Sequence, residues 1–130
     1  MSSGRLAAAR AALAAALTPK VGAVYTTLPS RFTPPAVLLE PDDPYITTAG
    51  RPFRYGDLHQ QVTVIVRPGD NVAQLRALES VVENALDAIH AAGNDWTVQS
   101  VSAPFDLQVG QAVYLAARLA VTLPTRITTD

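Results

Sequence analysis

Glu40, Asp42, Asp43 and Asp57 form the densest group of carboxylates in the chain. Clustered carboxylates can hold a divalent cation, but a calcium loop needs acidic ligands at alternate positions, a glycine and a distal glutamate. Pro41 and Pro44 interrupt that spacing. The group reads instead as a solvated turn whose side chains bond to nearby backbone N–H groups. His59 and His90 lie far apart in sequence, and neither belongs to an H-x-x-H or H-E-x-x-H pattern. His59 fits a surface or interface position on a strand better than a general base. Ser2, Ser3, Ser30, Ser80, Ser100 and Ser102 include no G-x-S-x-G elbow, and the glycines form no phosphate-cradling loop. Cysteine is absent, which excludes disulfides, thiolate metal sites and a thiol nucleophile. The sequence therefore assigns no catalytic residue, no metal and no cofactor, and the expectation is a protein that is not an enzyme.

One further cluster mixes charge with aromatic surface. Arg31, Arg51 and Arg54 lie near Phe32, Phe53 and Tyr55, a combination that can stack on single-stranded nucleic acid. Ten basic against eleven acidic residues give a net charge of −1, so no global basic field supports that use. Arginine and tyrosine are enriched at protein–protein hot spots, which makes protein contact the better reading. Tyr45, Arg51, Phe53, Arg54 and Tyr55 are the candidate interface residues.

The elements that must position these groups follow from composition and periodicity. At 130 residues the chain fits one domain, long enough to bury about two-thirds of its unfolded surface. Charged residues make up only 16%, below the usual quarter, and charge depletion suits a surface that is covered in an assembly. No apolar run reaches the length of a membrane span. The alanine-rich segment from Leu6 to Leu17 resembles a signal peptide superficially, but Arg10 falls inside it and alanine gives little hydrophobic drive. A cytoplasmic protein is expected.

Arg5 to Leu17 reads as a helix from its alanine content, with Leu6, Leu13 and Leu17 along one side and Pro19 as its stop. Val21 to Leu28 fits both a short strand and an extended crossing. Ala36 to Glu40 reads as a strand ended by Pro41. Residues 41–57 contain three prolines and two glycines and read as a long loop, whose aromatics need a place to bury. Leu58 to Val66 alternates as a strand, with Leu58, Gln60, Val62, Val64 and Val66 on the core face. Asp70 or Asn71 then caps a helix whose apolar positions Val72, Leu75, Leu78, Val82, Leu86 and Ile89 recur at three- and four-residue steps. Gly93 is placed to end it. Trp96 to Val101 reads as a strand, Pro104 and Gly110 bracket a loop, and Gln111 to Leu123 forms a last long strand. Residues 1–4 and 125–130 read as mobile ends. The fold class is α+β: an antiparallel or mixed sheet with an N-terminal helix and a second, amphipathic helix packed on it.

Three stretches together carry a family resemblance over nearly the whole chain. Pro34-Pro35-Ala36-Val37 leads to Glu40-Pro41-Asp42-Asp43-Pro44-Tyr45. Val66-Arg67-Pro68-Gly69-Asp70-Asn71 makes the corner before the second helix, and Ser102-Ala103-Pro104-Phe105 is followed by Tyr114-Leu115-Ala116-Ala117-Arg118. In this order the chain resembles the tail-terminator (tail completion) proteins of long-tailed, siphovirus-type bacteriophages. The resemblance implies a hexameric ring of this chain that caps the tail tube, stops its polymerisation and joins it to the head–tail connector. It implies the tail tube protein and the connector as partners, DNA passing through the ring without sequence readout, and a place in the virion after assembly in the host cytoplasm. The family has no catalytic residues to carry over. The alternatives are another neck or tail component of similar fold, and a small α+β ligand-binding module or enzyme.

Overall fold

A computed structural model describes residues 4–27, 33–47, 55–67, 71–92 and 96–126. The elements run α1 (Gly4–Val21), β1 (Ala23–Tyr25), β2 (Ala36–Thr47), β3 (Tyr55–Val66), α2 (Asn71–Ala91), β4 (Thr97–Val101), β5 (Phe105–Val109) and β6 (Ala112–Arg126). The strands form one six-stranded sheet in the order β1-β2-β3-β6-β4, with β5 also paired to β6. The β1–β2 pair is parallel and the other pairs are antiparallel, so the sheet is mixed. The expected α+β class with an N-terminal helix is what the chain adopts.

Both helices lie on one face. α1 packs on β1 and β2, while α2 packs on α1 and on β3, β6 and β4. Between helices and sheet lies the main core: Leu13, Leu17 and Val21 from α1; Leu78, Ala85, Ala88 and Ile89 from α2; and the inward residues of β2, β3 and β6. Period-2 register selects these residues. Val37, Val64 and Ala117 stand opposite one another across three strands, as do Leu39, Val62 and Leu119.

The β3 strand is buried on more than the expected face. Ile65 and Thr63, on the opposite side from Val62 and Val64, are also buried. Leu38, Ile65 and Ala116 form a second small core there, flanked by Tyr25, Phe105, Leu107 and Tyr114. Aromatic side chains from neighbouring strands thus cover part of the sheet face that the two helices do not.

Four sequence expectations are corrected. Residues 41–57 are not one long loop: β2 runs on to Thr47, and β3 begins at Tyr55. Prolines are tolerated at an edge or bulge, where no ladder bond depends on their missing N–H. β1 pairs with β2 only from Ala36 to Leu38, so Pro41 and Pro44 fall beyond it. Pro41 borders an irregularity and Pro44 lies within it, since Pro41 faces Gln60 and Ile46 faces Leu58: five steps on β2 against two on β3.

Pro19 does not stop the first helix, which continues to Val21. Burial of Val21 favours the last turn. The Thr18 hydroxyl donates to the Ala14 carbonyl at 2.8 Å, and the Gly22 N–H donates to the Thr18 carbonyl at 3.1 Å. Gly22 leaves the helix at φ +91°, a left-handed conformation that glycine adopts without penalty.

The segment between Pro104 and Gly110 is a strand, not a loop. β5 and β6 form a hairpin in which Val109 faces Ala112 across a two-residue turn. Gly110 has φ +62°, as the first central residue of a primed hairpin turn requires. The ends read as mobile, 1–4 and 125–130, are ordered further than expected: Gly4 is helical, and Thr125 and Arg126 pair with Gly56 and Tyr55.

Candidate functional site

The acidic residues are spread along the sheet rather than gathered into a site. Glu40 faces Gln61 and Asp57 faces Thr47, at separate register positions. The Asp42 carboxylate accepts a bond from the Asp43 N–H at 2.8 Å, a local arrangement of the expected kind, although it sits in a strand. Among the described residues no three His, Cys, Asp or Glu side chains are placed to hold a metal ion.

His59 is a cross-strand connector. Its Nε2 is hydrogen bonded to the Thr47 hydroxyl at 2.7 Å, and its Nδ1 lies 3.4 Å from the Thr122 hydroxyl. This row ties β2, β3 and β6 together on the face away from the helices. His90 is on the exposed side of the last turn of α2, on another element.

Of the candidate interface residues, Tyr45 is the one whose side chain is described. It is half-buried against the main core, and its hydroxyl accepts a bond from Arg10 Nη2 at 2.9 Å. Tyr45 therefore fastens β2 to α1. Tyr55 opens β3, opposite Arg126. Arg51, Phe53 and Arg54 lie outside the described residues, as do Arg31 and Phe32.

Two stretches distant in sequence meet at a corner. Ser102 stands between β4 and β5, and its N–H donates to the Arg118 carbonyl at 2.8 Å. Its hydroxyl oxygen accepts from the Arg118 N–H at 2.9 Å and its O–H donates to the Ala103 carbonyl at 2.9 Å. Phe105 faces Ala116, and the Arg118 guanidinium lies over the Phe105 ring, 4.5 Å from its centre. Ser102 to Phe105 and Tyr114 to Arg118 thus form one structural unit.

Next to this corner lies the feature that sequence reasoning missed. A groove of about 850 Å³ separates α2 from the β4–β5 connection, with Leu75, Leu78 and Val82 on one side, Val101 and Pro104 on the other, and Ala117 between. Its upper part is open: Leu75 and Val101 are each 41% exposed, and Val72, one turn before Leu75, is 63% exposed. Val113, at the start of β6, is 44% exposed and lies on the same face of its strand as Leu115 and Ala117. Arg76, Glu79 and Glu83 edge the groove along α2. The apolar stripe of α2 read from the sequence is therefore real but only partly covered, and its first two members face outward.

The chain matches no protein-family model and no curated protein sequence. Among the described residues no helix is long and apolar enough to cross a membrane.

Proposed function

We propose that this chain is a tail terminator of a long-tailed bacteriophage, a structural subunit that self-assembles into a ring. In this reading the ring closes the end of the tail tube, halts tube growth and presents its other side to the head–tail connector. DNA passes through the centre without being read, and the subunit carries out no chemical turnover.

One observation carries the self-assembly part. The chain has two unlike apolar surfaces borne by different ends of the sheet: the groove beside α2, over β6 and β4, and the outer side of α1, above β1 and β2. Rings that close by rotation need two different, complementary patches on each subunit. The low share of charged residues, 16%, favours the same reading. The corner joining Ser102–Phe105 to Tyr114–Arg118 supports the family resemblance, since the stretches that carry it act together in space.

Electron microscopy of the purified protein, alone and with tail tubes, tests the proposal. Rings seated at tube ends, and tubes that stop lengthening on addition of the protein, are the expected result. A protein that stays monomeric and leaves tube growth unaltered would refute it. A volume of about 850 Å³ is also within the range of small-molecule sites. A thermal shift on adding a metabolite, without rings, would favour that ligand-binding alternative.

A further inference from the structure

We propose that the groove beside α2 is closed by α2 of a second copy of this chain, the two helices lying antiparallel about a two-fold axis near Glu79. This pairing stands apart from the ring-forming reading but uses the groove which that reading gives to a ring joint. Dimer and ring therefore exclude each other, and the dimer holds free subunits back from closing into rings.

The charges of the groove are arranged to complement themselves. Arg76, Glu79 and Glu83 all line it, and all three are exposed. Glu79 and Glu83 stand four residues apart, a like-charge spacing that disfavours a helix unless a cation lies between them. Arg76 precedes both, one turn before Glu79 and two before Glu83, so the groove is basic at one end and acidic at the other. Turning a second copy end for end puts each Arg76 between Glu79 and Glu83 of the other. Opposite charges placed in this way set both register and direction. A parallel arrangement would instead set Arg76 against Arg76 and each glutamate against its like.

The apolar residues fall into the same register. With Arg76 opposite Val81 of the other copy, Leu75 comes opposite Val82, and Val72 comes opposite Ala85 and Leu86. Leu75 and Val72 are the exposed large apolar residues of α2, whereas Val82 and Leu86 are half-buried against the core. Each exposed residue thus meets a partly covered one, and the pairing completes a stripe that the single chain leaves bare over its first turns. Val101, on the far wall of the groove, is also exposed and lies where the second helix would cover it. One patch serves both copies, as a two-fold axis requires. Charge and apolar surface, read separately, therefore select the same alignment.

Charge reversal tests the joint. Arg76→Glu, and separately Glu79→Lys with Glu83→Lys, should each leave the protein monomeric in sedimentation where the unaltered chain is a dimer, with helix content unchanged. An equimolar mixture of the two variants should dimerise again, because an acidic groove then faces a basic one. The absence of cysteine lets the register be read directly. On oxidation Glu79→Cys should link to its own kind and Leu75→Cys to Val82→Cys, while Asn84→Cys should not link to itself. An unaltered chain that stays monomeric at the highest soluble concentration, or charge variants that do not recover on mixing, would overturn the proposal. Rings that seat on tubes and persist through both charge changes would reject this joint and keep the tail-terminator reading; cross-linked dimers with uncapped tubes would do the reverse.

Discussion

Arg10 donates a hydrogen bond through Nη2 to the Tyr45 hydroxyl at 2.9 Å, joining the first helix to a strand 35 residues away. Arg10 Nε is buried and has no partner among the described residues, so the tyrosine oxygen is an important part of what balances this guanidinium. Hydrogen bonds to charged groups are worth about 1.5–3 kcal/mol, more than neutral ones. Tyr45→Phe should lower stability by about 1.5–2.5 kcal/mol in urea unfolding. Adding Arg10→Met to that variant should recover much of the loss, because the unpaired charge is then gone. Equal destabilisation by the two changes, summed without coupling, would show that the contact contributes little.

Gln60 stands on the core face of β3, fully buried, and neither atom of its amide has a partner among the described residues. Its neighbours across the strands are Pro41 and Val121. Burial of an uncompensated amide costs on the order of 1–3 kcal/mol by protein mutational data. Gln60→Met keeps the volume and removes the polar atoms, and should raise stability by about 1–2 kcal/mol. A lower urea midpoint for this variant would mean that the amide is satisfied in solution.

Gly110 turns the β5–β6 hairpin at φ +62°, and a Cβ added there would meet nothing within 4 Å. Space is therefore not what selects glycine; the backbone conformation is. Gly110→Val should destabilise by about 1–2 kcal/mol, the cost of a left-handed conformation for an L-residue. Gly110→Asn should cost less, because asparagine tolerates that region. Similar losses for both would place the cause elsewhere.

Leu75 and Leu78 belong to the same stripe of α2, but Leu78 is buried and Leu75 is 41% exposed. Leu78→Ala should cost about 2–5 kcal/mol through lost burial and the cavity left behind. Leu75→Ala should stay within about 1 kcal/mol in the monomer and act instead on self-association. Chemical unfolding below the association threshold separates the two effects, and a large loss at Leu75 would show that the groove is closed in the free subunit.

Long periodic segments were legible in the sequence because their pattern and their burial coincide. Leu58 to Val66 is the clearest case, its inward residues recurring at the period of the strand; on α2 the coincidence begins only at Leu78, since Val72 and Leu75 of the same stripe are exposed. β5 was missed although Phe105, Leu107 and Val109 alternate with Asp106 and Gln108, because five residues beside Pro104 and Gly110 carry less weight than the turn signals. The strand character of residues 41–47 was hidden by their prolines, whose cost depends on whether a partner strand lies alongside, a tertiary fact. The same holds for Pro19, retained in α1 where Val21 gains from burial. At the candidate site, the hydroxyl of Tyr45 is engaged by Arg10, a pairing no local pattern announces. The groove was equally silent, because periodicity says which residues share a face and not which part of that face a neighbour covers.

Pro41 and Pro44 have a consequence for how copies of this chain can meet. Without N–H groups at those points, the stretch of β2 past Leu38 is a poor template for another backbone, so runaway strand-on-strand stacking into fibrils is discouraged there. In the proposed ring, association would be left to joints made by side chains. The tilt between successive subunits, not the supply of protein, would then decide how many fit before the circle shuts.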